Sequence, residues 1–207
     1  MTPERRAFLA KSAVLASGAL LPLPGRAQAY GAVRELSGEV FLNGFRMTAD
    51  SALRVGQTIT TGRDGQIWFS LGGDAYFLRP DSELRLQSSD PPDTLVDLLR
   101  LVSGALGATF SRGARRAVIA RTATIGIRGT GIYVEATPGE TYACTCFGST
   151  DLSSTVTGQM MESIPISTDR HVARRITRDA VIAAAFEHHT NEEIARLEQL
   201  VGRPNPF

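Results

Sequence analysis

Between residues 33 and 86 the chain alternates apolar and polar side chains in short runs, and turn-forming clusters separate the runs. A period of two sends successive side chains to opposite faces of a strand, so this stretch is confined to antiparallel sheet with one face in a core. In Gln66-Ile67-Trp68-Phe69-Ser70-Leu71, residues Ile67, Phe69 and Leu71 share a face. Gly72-Gly73-Asp74 turns the chain and Ala75-Tyr76-Phe77-Leu78 returns it. Arg79-Pro80-Asp81-Ser82 turns it again before Leu84 and Leu86. Upstream, Val40-Phe41-Leu42 runs into Asn43-Gly44, the strongest short hairpin signal. Residues 117–120, 124–127, 132–135 and 141–147 also read as strands, with Pro138-Gly139 turning between the last two.

The pattern predicts a mainly β protein, an antiparallel β sandwich or roll of short strands with a small C-terminal helix. That helix begins at the capping box Thr190-Asn191-Glu192-Glu193, carries Ile194, Leu197 and Val201 on one stripe, and stops at Gly202 and Pro204. Two segments are less decided. Leu95, Leu98, Leu99 and Val102 have helical spacing in a stretch, 95–107, that also suits a strand, and the alanine-rich residues 179–187 suit a helical turn. Residues 88–94 form a polar loop.

The first 29 residues read as a cleavable leader. Arg5-Arg6 precedes Phe8-Leu9, a modest apolar run follows from Ala13 to Leu23, and Ala27-Gln28-Ala29 puts small residues where a signal peptidase reads. The paired arginines and weak apolar run resemble a twin-arginine signal. The run is far shorter than the roughly 20 residues a spanning helix needs, so no transmembrane anchor is expected after processing. The organisation expected is a signal peptide over 1–29, a β domain over 30–158, and an extension over 159–207 whose short helix packs on the domain, the whole working in the periplasm.

The chain has 22 Lys and Arg against 21 Asp and Glu, a net charge of +1. Without the leader, about two net negative charges remain. This balance gives no electrostatic case for nucleic acid and leaves a protein or cell-envelope component as the expected partner. A cluster of Arg112, Arg115, Arg116 and Arg121 suits either an acidic face or headgroup, or plain solvent. No Gly-x-Ser-x-Gly elbow or His-Glu-x-x-His motif is present. The expectation is a non-catalytic binding or sensing module.

Cys144-Thr145-Cys146 is the most pointed chemical feature. In a strand these cysteines face one way about 6.6 Å apart. A disulfide wants Cβ atoms about 3.8 Å apart, which strains a regular strand unless a bulge relieves it. A soft metal ion is easier to hold, because two thiolates can converge on it by rotamer choice. Three readings therefore stand: a metal or redox site, a disulfide, or inert buried thiols. His171, His188 or His189 could complete a metal site. His188 and His189 also suit a polar pair at the start of a helix, and adjacent helical residues point about 100° apart.

Gly126-Ile127-Arg128-Gly129-Thr130-Gly131 lacks the strand-to-helix setting of a phosphate loop, since Ile132, Tyr133 and Val134 follow it. It reads as a tight connection or bulge, with Arg128 and Thr130 tying the turn or meeting a partner.

Together with this segment, Gly38-Glu39-Val40 and Asn43-Gly44, Leu53-x-Val55-Gly56-x-x-Ile59-x-Thr61-Gly62, Gly65-x-Ile67-x-Phe69-x-Leu71 and Pro80-x-Ser82-x-Leu84 follow in fixed order over residues 31–158. In this order they resemble the periplasmic domain of the FecR family. The resemblance implies an all-β domain outside the inner membrane. Members of that family relay the state of an outer-membrane iron transporter to a cytoplasmic sigma factor. This sequence lacks their cytoplasmic region and membrane helix, so only the domain, its compartment and a habit of binding are expected to transfer.

Overall fold

The computed structural model describes residues 31–89, 96–113, 115–156, 159–160 and 163–207. Residues 1–29, expected to be a leader, with Arg5, Arg6, Ala27 and Ala29, lie outside the described residues, as does most of the expected polar loop after Gln87. In chain order the strands are β1 (Ala32–Ser37), β2 (Val40–Leu42), β3 (Phe45–Arg46), β4 (Thr58–Thr61), β5 (Gln66–Leu71) and β6 (Asp74–Leu78). There follow β7 (Glu83–Gln87), β8 (Leu98–Thr109), β9 (Arg116–Ile119), β10 (Ala123–Ile127) and β11 (Gly131–Ala136). The chain continues with β12 (Thr141–Val156), β13 (Gln159–Met160), β14 (Ile164–Thr168), β15 (Val172–Ile176), β16 (Val181–Ala184) and the helix α1 (Asn191–Leu200).

These strands make two facing sheets that share two long strands. The first runs β1-β5-β6-β8-β11-β12-β15-β16, and the second runs β3-β2-β4-β7-β8-β9-β10-β12-β14. β8 pairs with β7 and β9 over residues 98–103, then with β6 and β11 over residues 104–109. β12 passes between the sheets in the same way after Phe147. Both passages fall at glycines with left-handed backbone, Gly104 (φ +79°) and Gly148 (φ +82°), a conformation that L side chains resist. The main core lies between the sheets, around Leu53, Ile59, Phe69, Tyr76, Leu84, Leu99, Leu106, Ile125 and Val134.

The mainly β architecture with its one small C-terminal helix is as the alternation predicts. One pairing departs from the antiparallel expectation. β8 and β9 run parallel, and their contact closes β8, β9, β10, β12 and β11 into a ring. The undecided stretch after residue 95 is strand β8, and residues 181–184 are strand β16 rather than a helical turn. The C-terminal extension supplies β14, β15 and β16 to the two sheets as well as α1.

Of the basic cluster, Arg116 is not solvated. It is buried beside Asp74, its Nε donating to the carboxylate at 2.9 Å. The same carboxylate accepts from the Ser111 amide and hydroxyl at 2.8 and 2.9 Å. A buried charge is tolerated when it is paired and hydrogen-bonded in this way.

A second, smaller core lies on the outer face of the first sheet. Trp68, Phe77, Ala105, Tyr133 and Tyr142 pack there against Ile194 and Leu197 of α1, and Cys144 and Cys146 lie among them. The Thr190 hydroxyl accepts from the Glu193 amide and the Glu193 carboxylate accepts from the Thr190 amide, so the predicted capping box is formed. Among the described residues no helix is long and apolar enough to cross a membrane.

Candidate metal centre

The two cysteines reach one another through a bulge. On β11, Gly131 and Ile132 are consecutive, but they stand opposite Phe147 and Thr145, so Cys146 is the extra residue. A bulge bends its strand and re-aims a side chain. Gly131 makes room for it: a Cβ there would lie 2.4 Å from the Phe147 ring. The Thr130 hydroxyl donates to the Phe147 carbonyl and fixes the other flank.

Two histidines complete the group. β15 pairs with β12 so that Thr145 stands opposite Val172, which brings His171 beside Cys144. His189 approaches from the turn ahead of α1. The Cys144 Sγ lies 3.5 Å from His171 Nδ1. The Cys146 Sγ lies 3.4 Å from His189 Nε2. One donor atom from each of the four residues falls within 4.8 Å of every other. Around tetrahedral zinc, with Zn–S about 2.3 Å and Zn–N about 2.05 Å, a sulfur and a nitrogen ligand stand about 3.6 Å apart. The donors are therefore already close to that arrangement.

Both imidazoles are held in the tautomer a metal needs. His189 Nδ1–H donates to the Glu187 carbonyl at 2.9 Å, leaving the Nε2 lone pair aimed at the sulfurs. His171 Nε2–H donates to Asn191 Oδ1 at 2.7 Å, leaving Nδ1 for the centre. Such outer bonds fix ring orientation and raise ligand basicity. The rings are clamped as well. His189 stacks on Tyr133 at 4.4 Å and His171 lies 4.0 Å from Phe186 and 5.2 Å from Phe207.

The electrostatics favour a thiolate. Hydrogen bonding from the Cys146 thiol holds Cys144 well below the ordinary thiol range, against the cost of burial. Burial first, and then the neighbouring Cys144 thiolate, pushes Cys146 well above its ordinary value. A metal cation would remove that opposition, because it stabilises both thiolates together. Both cysteines are free thiols, and three of the four residues are buried, with His171 half-buried.

His188 stands apart from this group. Its backbone is left-handed, with φ +71°, so it turns away from His189; its Nδ1 meets Glu135 Oε2 at 2.6 Å. The turn is held by Arg79, which donates to the His188 carbonyl and to Glu193, and by the Tyr142 hydroxyl, which bonds Ala185 and Glu187. Burial pushes the Tyr133 phenol up to about 12 and raises that of Tyr142 as well.

Thr130 is fully buried and so is a tie within the bulge rather than a surface for a partner. Arg128 is exposed, paired with Asp151 at 2.9 Å, and lines an open cavity of about 560 Å³. Asn191, the Glu187 carbonyl and the aromatic clamp carry no signature in the sequence. Glu187, Asn191 and Phe186 are signalled only by proximity in the chain to His189, and Tyr133 and Phe207 not even by that.

No family model and no curated protein matches this chain. It is similar to two crystal structures of a candidate anti-sigma factor from Parabacteroides distasonis ATCC 8503, each at a TM-score of 0.49, with 13% and 12% identity over 68% of this chain. The chain spans 64% of the length of those structures.

Proposed function

We propose that this chain is an exported β module that holds a single metal ion, zinc(II) before others, through Cys144, Cys146, His171 and His189, and that its work is binding rather than catalysis. The observation that carries the reading is the convergence of two thiols and two correctly oriented imidazole nitrogens within 4.8 Å. Two sulfurs and two nitrogens suit zinc or cobalt(II) and poorly suit magnesium or calcium, which take oxygen ligands. Four protein ligands fill a tetrahedral shell and leave no open position for substrate, the mark of a structural or holding site. The leader supports a location outside the cytoplasm, since the twin-arginine route carries proteins already folded and so suits one loaded with metal before transport. The resemblance to FecR periplasmic domains supports the same compartment.

The test is elemental analysis of the reduced native protein together with titration by cobalt(II). One zinc per chain and the intense visible absorption of tetrahedral thiolate-bound cobalt are expected. A reduced protein that arrives free of metal and gives no such absorption with excess cobalt would sink the reading.

A further inference from the structure

The outer face of the second sheet carries a charge arrangement that folding does not explain. Arg85 on β7 and Arg100 on β8 are directly opposite partners across an antiparallel pair, with both side chains turned outward. Like charges directly opposite one another destabilise a sheet. Arg121, just beyond β9, joins them, and the three arginines line a groove of about 310 Å³ whose exposed apolar side chain is Val102, the Leu101 and Ala120 side chains being buried in the core beneath. These residues are far apart in the chain and are gathered only by the β7-β8-β9 arrangement. One acid is close at hand: Glu83 bonds Arg85 at 2.7 Å. Among the described residues Arg100 and Arg121 meet no acidic partner. Among the described residues the groove thus carries about two uncompensated positive charges, on a chain that without residues 1–29 is slightly negative.

We infer that this groove binds a phosphomonoester group. A phosphate ester carries about −1.5 to −2 charges at neutral pH, the complement of the groove's surplus. Planar guanidinium forks match phosphate oxygens two at a time. The exposed Val102 side chain offers apolar contact to the body to which the phosphate is attached, and the volume is at the small end of ligand sites. The inference stands apart from the metal centre, which is on the other sheet.

The experiment is calorimetric titration of the purified protein with inorganic phosphate, with glycerol 3-phosphate, and with phosphatidylcholine vesicles containing or lacking phosphatidic acid. The Arg100→Gln/Arg121→Gln double variant is measured beside it. Saturable binding that the double variant weakens at least about tenfold, consistent with the loss of charge-assisted hydrogen bonds, supports the proposal. Binding of the soluble ester assigns a free phosphoester, and binding only of phosphatidic acid vesicles assigns a lipid headgroup. The double variant is expected to keep the cobalt spectrum and to melt at the same temperature or higher, since a repulsion is relieved. Absence of saturable binding with every phosphate probe, binding undiminished in the double variant, or retention of a glutamate-rich peptide in place of any phosphate probe would overturn it.

Discussion

His188 and His189 are neighbours in the chain with opposite prospects. His189→Gln, His171→Gln, Cys144→Ser and Cys146→Ser each remove a donor atom and are expected to lower metal affinity by more than the 10- to 100-fold typical of losing an outer partner. His188→Gln is expected to leave it unchanged, and competition with a chromophoric chelator reads all five. Asn191→Ala is expected to cost about tenfold in affinity with the helix intact, because it frees the His171 ring without removing a donor. Gly131→Ala drives a methyl into the Phe147 ring and should destabilise by about 2 kcal/mol in chemical denaturation, weakening metal binding with it. At this scale the sequence was half legible. The spacing of Cys144 and Cys146 put both thiols on one strand face, and the histidines were short-listed by their scarcity. Choosing His171 over His188 needed the register of β15 on β12, which joins residues 27 apart, and a left-handed backbone at His188. Neither is written in local composition.

Strands were easiest to read where one face meets water. β7 alternates between exposed and buried, and its apolar set is plain in the sequence. β6 is buried at all five positions, because its second face lies under α1. Burial on both faces erases alternation. The stretch after residue 95 reads as much helix as strand for another reason: Leu98 and Val102 are apolar on the outward face, so the inward Leu99 and Leu101 do not stand out from their neighbours. Residues 181–184 suit a helical turn by composition, because alanine favours helix in isolation, yet pairing with β15 settles them as strand. The helix was legible because its cap is local. Thr190→Ala should cost about 1 kcal/mol. Since the cap adjoins His189, the loss is expected to shrink when zinc is bound, as melting with and without metal would reveal. Asp74→Ala strands Arg116 without its partner and should cost about 3–5 kcal/mol, far more than any exposed pair here.

For the molecule as a whole, alkali is the informative stress. The phenols of Tyr76, Tyr133 and Tyr142 are all raised above their ordinary value of 10.0, in each case chiefly by burial. A raised pKa in the folded state means that stability is complete below pH 10 and drains away as the unfolded chain ionises first, through the folded value near 12 for Tyr133. Absorbance titration should therefore show three of the four tyrosines ionising only as circular dichroism reports unfolding. Phenolate signal from more than one tyrosine at pH 10 with the fold intact would contradict this. Ring closure through the parallel β8–β9 contact has its own consequence. Five strands bonded on both sides leave no rim from which a single one can peel, so the barrel portion must come apart in one cooperative step. Among the described residues, aggregation by edge-to-edge stacking is left to the outlying strands, β1, β3, β13, β14 and β16, where the hydrogen-bonding groups still look outward.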